Sequence, residues 1–173
     1  NTFECWIYYH SLPTNNLFLG IESSYWLGYN HSGIGGASNK FVFSIYNGSA
    51  WQAVSSSTTP AVRAWHHVAA TSSGTVLQIY IDGKLITQST TAVDRDADPS
   101  MHLRIGRLHP SSAEYFNGCI EELRIYYDVR TQAEIRANMF VNVHGDISGD
   151  KLIARYGFNE GSGSTSDNSQ GTA

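Results

Sequence analysis

Charge is scarce in this chain. Eleven Lys and Arg face 15 Asp and Glu among 173 residues, giving a charged fraction of 15% and a net charge of −4. There is neither a basic face to neutralise a run of phosphates nor an acidic tract, so no nucleic-acid partner is expected. Long apolar runs are missing as well. None approaches the roughly 20 residues that cross a bilayer, so no membrane insertion is expected. Cysteine is reduced to two residues far apart in sequence, Cys5 and Cys119, and the chain starts at Asn1 without Met, as a processed or trimmed chain would. Helical periodicity is nearly absent. What remains is enough sequence for one domain with a sizeable core and too little for two ordinary ones.

Period-2 alternation fills most of the chain. Strands are expected over residues 3–9, 17–21, 25–29, 40–46, 51–54, 65–71, 75–81, 84–88, 101–106, 116–127 and 152–158. About eleven strands is the count of a sandwich or barrel. Asp82-Gly83 between LQIYI and KLITQ, and Asn47-Gly48 between two more strands, are dipeptides that tolerate positive φ, so the order reads as antiparallel and rich in hairpins. One helix interrupts the pattern. Thr131 followed by Glu134 forms a capping box before AEIRANMF, which puts Ile135 and Met139 on one face, as in a short helix plugging one end of the sandwich. VNVHGDISGD, with two Gly and two Asp and no periodicity, reads as a linker before the last strand.

Three segments carry a resemblance. AWHHVAATSSGTVLQIYIDGKLI (64–86), LRIGR (103–107) and YFNGCIEELRIYYDVRTQAEI (115–135) resemble the second half of a laminin-G-like domain of the concanavalin A-like lectin and glucanase superfamily. FECWIYY resembles an early strand of the same fold and is similar to the Cys-bearing strand of pentraxins. The resemblance implies an all-β, two-sheet antiparallel jelly-roll sandwich with one short helix near residues 131–139. It also implies core positions for Trp6 and Trp65, and for Val68, Leu77, Ile79, Ile105, Leu123 and Ile125 between or against the sheets. Cys5 and Cys119 fall in strands that are near neighbours in this fold. A Cys5–Cys119 disulfide and two buried free thiols both stay open, since the pentraxin partner of the first cysteine lies in the strand equivalent to HHVAA, where Ala69 stands here.

The tail adds a puzzle. LIARYGFNEGSGSTSDNSQG (152–171) resembles the first strand and loop of the family, which normally precede the FECWIYY strand. The chain therefore divides into residues 1–145, a laminin-G-like jelly roll lacking its usual first strand, and residues 146–173, a linker plus strand and loop. That strand either completes this sandwich, or is donated to a neighbouring copy, or opens a next repeat.

Members of the superfamily mostly bind glycans or serve as adhesion modules, and a minority hydrolyse glycosides, so the site has to decide. Retaining glycosidases of this sandwich need two carboxylates about 5–5.5 Å apart. Glu121-Glu122 are sequence neighbours on a strand and by alternation point to opposite faces. No Glu-x-Asp-x-x-Glu strand, Asp box or His/Cys metal cluster is present, and no enzymatic activity is expected. Aromatic platforms for sugar faces are expected at Tyr25, Trp26 and Tyr29 around a polar turn, at Trp51 after Asn47-Gly48-Ser49-Ala50, and at Tyr115 after the HPSSAE loop. Calcium is the cofactor to consider. Asp94, Asp96 and Asp98 alternate in DRDADPS, and Asp167 and Asn168 occupy the place that in many relatives helps hold a structural calcium. The Glu-Gln-Asp cluster of pentraxins has no counterpart in RLHPSSAEYF, so pentraxin-type ligand binding is not carried over.

Two function classes follow. The first is a non-catalytic carbohydrate-binding or adhesion module of a larger extracellular or surface protein, with a glycan or glycoprotein surface as partner. The low charge with abundant Ser, Thr, Gly, Asn and Tyr fits such a surface. The second is a structural building block that assembles with neighbouring copies by donating its C-terminal strand.

Overall fold

The computed structural model describes residues 1–12, 16–21, 23–90, 102–107, 115–141, 151–162 and 165–166. Among these residues eleven strands form: β1 (Thr2–Tyr9), β2 (Asn16–Ile21), β3 (Tyr25–Tyr29), β4 (Phe41–Tyr46), β5 (Trp51–Ser55), β6 (Trp65–Ser72), β7 (Leu77–Ile81), β8 (Lys84–Ser89), β9 (Leu103–Ile105), β10 (Gly118–Tyr126) and β11 (Leu152–Tyr156). They make two sheets of a jelly-roll sandwich, six strands in the order β11-β10-β1-β6-β7-β8 and five in the order β5-β4-β3-β2-β9. All paired neighbours run antiparallel.

The core lies between the sheets because alternation aims one side of each strand inward. β1 sends in Phe3, Cys5, Ile7 and Tyr9, and β6 and β7 send in Val68, Ala70, Leu77 and Ile79. From the five-stranded sheet come Phe18, Leu27, Phe41, Phe43 and Ile45. Leu123 joins them fully buried, and Ile105 and Ile125 pack against the cluster half-buried. β3 departs from alternation: all five of its residues are buried. The outer side of its sheet is covered too, by the 3-10 turn at Ser32–Ile34, so Trp26 packs with Leu17, Ile34 and Val42 in a second cluster.

Turns close as their residues dictate. Asp82 (φ 50) and Gly83 (φ 70) occupy left-handed backbone between β7 and β8, the geometry of a type I′ hairpin. A Cβ on Gly83 would meet Arg136 Cγ at 2.6 Å, so glycine is favoured there by packing as well as by φ. The Asn47 loop is longer: its side-chain Oδ1 accepts hydrogen bonds from the backbone of Ser49 and Ala50 at 3.0 and 2.9 Å.

The helix α1 (Gln132–Asn138) starts at Thr131 in a complete capping box. Glu134 Oε2 accepts from the Thr131 backbone N–H at 2.7 Å, and Thr131 Oγ1 accepts from that of Glu134 at 3.3 Å. Seven residues are too few to be stable in isolation. Packing supplies the rest, because Ile135 is buried against Ala69 and Tyr80. These residues lie on the outer face of the six-stranded sheet, so the helix covers a sheet face and does not plug an end of the sandwich.

The cysteines are free, Cys5 buried and Cys119 exposed. The disulfide reading is thereby corrected, as is the pair of buried thiols. Cys119 stands opposite Tyr8 on β1, three residues from Cys5, roughly 10 Å along the strand and beyond disulfide reach. Cys5 points into the core while Cys119 points out. Burial pushes the Cys5 thiol well above its ordinary pKa, and reagents that attack the thiolate find it neutral and shielded. A maleimide is therefore expected to add once to the native protein, at Cys119, and twice after denaturation. Peptide mass mapping checks this, and a native protein without a reactive thiol would contradict it.

Candidate functional site

One irregularity organises the outer face of the six-stranded sheet. Glu121 opposes Trp6 and Arg124 opposes Glu4, so Glu122 and Leu123 together face Cys5 alone. This is a β-bulge. Glu122 takes left-handed backbone (φ 50), which costs a non-glycine residue about 1–2 kcal/mol. Leu123 enters the core, and Glu121 and Glu122 both line one cleft on the outer face. Strict alternation, which sends these two carboxylates to opposite faces, is corrected by the bulge.

Arginines from two strands hold Glu122. Arg124 Nη2 donates to its Oε2 at 3.0 Å, Arg155 Nε donates to the same oxygen at 2.9 Å, and Arg155 Nη2 donates to Oε1. Burial alone would raise its pKa. The hydrogen bonds from Arg155 and Arg124 outweigh burial and keep the carboxyl below its ordinary value. A carboxylate fixed in its ionised form is unsuited to serve as a general acid. Deeper under the helix, Glu4 accepts from Arg124 Nη1 and from the Tyr126 hydroxyl, both at 3.2 Å. There burial exceeds the pull of Arg124 and Tyr126, and the pKa is raised. His67 lies 3.8 Å from Glu4, too far for a hydrogen bond. Burial and the nearby Arg124 lower its pKa to about 4 against the opposing pull of Asp82, so the ring is neutral at pH 7.

The segment that leaves α1 crosses this cluster. Arg124 Nη1 donates to Asn138 O at 2.8 Å and Nη2 to Val141 O at 2.6 Å, while the Trp6 indole donates to Met139 O at 2.8 Å. Beside it opens a cleft of about 450 Å³ whose accessible groups are Trp6, Trp65, Phe140, Glu121 and Asn159. Trp65 is 40% exposed and Phe140 75%, with the Phe140 ring 5.3 Å from Trp6. Neither Glu121 nor Asn159 has a side-chain partner among the described residues. The core positions implied for Trp6 and Trp65 are thus corrected: both project from the outer face, away from Ile7 and Val68. The signal was in FECWIYYH itself, where burying Phe3, Cys5, Ile7 and Tyr9 leaves Trp6, Tyr8 and His10 on the other side. Phe140 and Asn159 lie outside helix and strand, where periodicity gives no signal.

The expected platforms fall elsewhere. Tyr25, Trp26 and Tyr29 are buried and offer no free ring face: Tyr25 packs on Phe3 at 5.2 Å, Trp26 sits under the 3-10 turn, and Tyr29 donates its hydroxyl to Asn39 Oδ1 at 3.1 Å. Trp51 is half-buried against Tyr46 on β5. Tyr115 is exposed, with the Arg107 guanidinium 4.7 Å over its ring, next to β9. β5 and β9 are opposite edges of the five-stranded sheet, about 19 Å apart, so Trp51 and Tyr115 do not form one site. Asp94, Asp96, Asp98, Asp167 and Asn168 lie outside the described residues. Among the described residues no group of three or more His, Cys, Asp or Glu is placed to hold a metal.

The concanavalin A-like lectin/glucanases superfamily model of laminin G type matches residues 1–136, and the chain belongs to this superfamily. No curated protein matches it in sequence. Among solved structures, a Bacteroides ovatus ATCC 8483 protein to which carbohydrate binding has been ascribed superposes with a TM-score of 0.76 at 22% identity, over 92% of this chain and 45% of its own. Domain 4 of AbnA, a GH43 extracellular arabinanase from Geobacillus stearothermophilus, was solved with arabinotriose; it gives 0.62 at 19% identity, over 79% and 64%. The CBM40 of the Ruminococcus gnavus IT-sialidase, bound to α2,3-sialyllactose, gives 0.60 at 16%, over 79% and 80%. At these identities the likeness is one of fold. The chain spans less than half the length of the Bacteroides ovatus protein.

Two expectations follow from the charge cluster. Removing one partner of a buried pair strands the other, so Arg155→Met is expected to lower stability by about 3 kcal/mol. Glu122→Gln is expected to cost less, and the double variant less than the sum of the two. Urea melts of the four proteins check this, and strict additivity would show the pair to be absent. For His67 the folded pKa lies below the unfolded one, so between pH 6.5 and about 4 the unfolded chain takes up a proton that the folded chain refuses. Stability therefore falls as pH drops through that window, by up to about 3 kcal/mol from this group. His67→Gln is expected to flatten the decline by about one proton, and parallel curves for the two proteins would contradict it.

Proposed function

We propose that the chain is a non-catalytic carbohydrate-binding module of a larger extracellular or surface protein, and that it takes sugar at the cleft on the outer face of the six-stranded sheet. One observation carries this reading: three aromatic side chains, Trp6, Trp65 and Phe140, converge there with two polar groups that have no side-chain partner among the described residues, Glu121 and Asn159. Sugar rings expose C–H faces that pack on aromatic rings, and a few fixed polar groups suffice to orient their hydroxyls. The neighbours with bound arabinotriose and sialyllactose support the same reading from the fold side. Hydrolysis is left out because Glu122, the one carboxylate beside Glu121 among the described cleft residues, has both oxygens engaged by arginine hydrogen bonds and so serves neither as acid nor as nucleophile.

The building-block reading keeps one observation in its favour. β11 pairs with β10 at the edge of the six-stranded sheet, beyond the residues that the superfamily model matches. Its Tyr156 and the following Phe158 pack against the main core. A strand from a neighbouring copy fits the same slot, and on that reading oligomers grow with concentration.

A glycan array followed by titration tests the main proposal. Trp65→Ala, at an exposed position, is expected to leave the melting temperature within a few degrees and to weaken binding at least ten-fold, about 1.4 kcal/mol. Unchanged affinity would remove the cleft from the binding site, and release of reducing sugar by the pure protein would contradict a non-catalytic role. Arms with calcium and with EDTA test whether the Asp94–Asp98 loop or the Asp167 and Asn168 loop contributes a calcium site.

A further inference from the structure

Resting on the reading that the cleft takes sugar, we infer that it is one end of a longer binding face, and that its ligand is a run of several neutral sugar residues within an oligosaccharide chain. The first ground is the row of rings along β1. Trp6, Tyr8 and the following His10 alternate with the fully buried Ile7 and Tyr9, so all three stand on the outer face. Trp65 joins from β6. The rings form two contacting groups, Phe140 5.3 Å from Trp6, and Trp65 and His10 5.6 and 5.5 Å from Tyr8, and Trp6 and Trp65 line the same cleft between them. Four residues of strand separate Trp6 from His10, roughly 13 Å, which exceeds one sugar ring and extends past the cleft. Polar groups mark both ends. Glu121 and Asn159 stand at the cleft, and the exposed Asn117–Ser11 hydrogen bond of 2.7 Å lies beyond His10.

The second ground is charge. Arg124 is the one cation among the described cleft-lining residues, and its two Nη atoms already carry bonds to Glu4, Glu122, Asn138 and Val141. Its side chain is 2% exposed. Among the described residues an acidic sugar would meet no free cation there and would face the carboxylate of Glu121, which has no partner among them. A neutral sugar offers hydroxyls that this carboxylate and the Asn159 amide can bind.

The test is calorimetric titration with xylo-, cello- and arabino-oligosaccharides of one to four residues, and with 3′-sialyllactose and oligogalacturonides as acidic counterparts. Affinity for at least one neutral series is expected to rise at least ten-fold from one residue to three. Tyr8→Ala and His10→Ala are expected to erase that gain with chain length while leaving the short ligand's affinity within about two-fold. Glu121→Gln is expected to narrow the preference for neutral over acidic chains. The exposed His10 variant keeps the test valid if Tyr8→Ala fails to fold. Affinity independent of chain length, or tighter binding of the acidic chains, would overturn this inference and leave the cleft as a sugar site. Absence of binding to every glycan, on the array as well, would instead overturn the proposed function and this inference with it.

Discussion

The bulge at Glu122 is the constraint on which the outer face depends. Arg124 and Arg155 stand directly opposite each other on β10 and β11, an arrangement that repels when left alone. A regular β10 would aim Glu122 into the core, where a carboxylate has no partner. The extra residue turns Glu122 outward between the two arginines, and three charge-assisted hydrogen bonds offset the left-handed backbone that this requires. Arg124 in turn reaches Glu4 and the carbonyls of Asn138 and Val141, so the same contacts fix the helix exit over the sheet and leave the cleft beside it.

What was local in the chain could be read from it. Eleven strands, the Asp82-Gly83 hairpin and the Thr131–Glu134 capping box depend on residues near one another in sequence, and the structure shows all of them. What depended on which side of a strand meets what was harder. Tyr25, Trp26 and Tyr29 flank a polar turn and look exposed, yet β3 is central in its sheet and covered on both sides, so alternation there carries no information about solvent. Trp6 and Trp65 erred the other way, because family position implied the core where the parity of their own neighbours puts them on the outer face. The bulge has no such signature: nothing in GCIEELRIY distinguishes a kinked strand from a regular one.

The buried charges serve specificity more than stability. Taking two Glu and two Arg out of water costs several kcal/mol per ion before their mutual attraction returns it. An apolar cluster of equal volume would hold β10 and β11 together at least as well. What the ions supply is discrimination: a strand docking beside β10 must present a guanidinium at the register of Arg124, as Arg155 does, or leave Glu122 half-neutralised. That requirement applies equally to a strand from the same chain and to one from a neighbour, and it lies beyond the matched residues 1–136.

The division of labour between the adjacent carboxylates then explains the character of the cleft. Glu122 is consumed by the scaffold, so the arginines beneath are neutralised and shielded, and the field that they would project into the cleft is cancelled. Glu121, one residue earlier, is left at the surface with no partner among the described residues. Around it stand rings that are held from behind: Trp6 through its indole bond to Met139, and Phe140 through the Val141 carbonyl that Arg124 clamps. A face built this way loses little side-chain entropy when a ligand settles on it. The described groups that it presents are aromatic rings for stacking, the Glu121 carboxylate as an acceptor and the Asn159 amide.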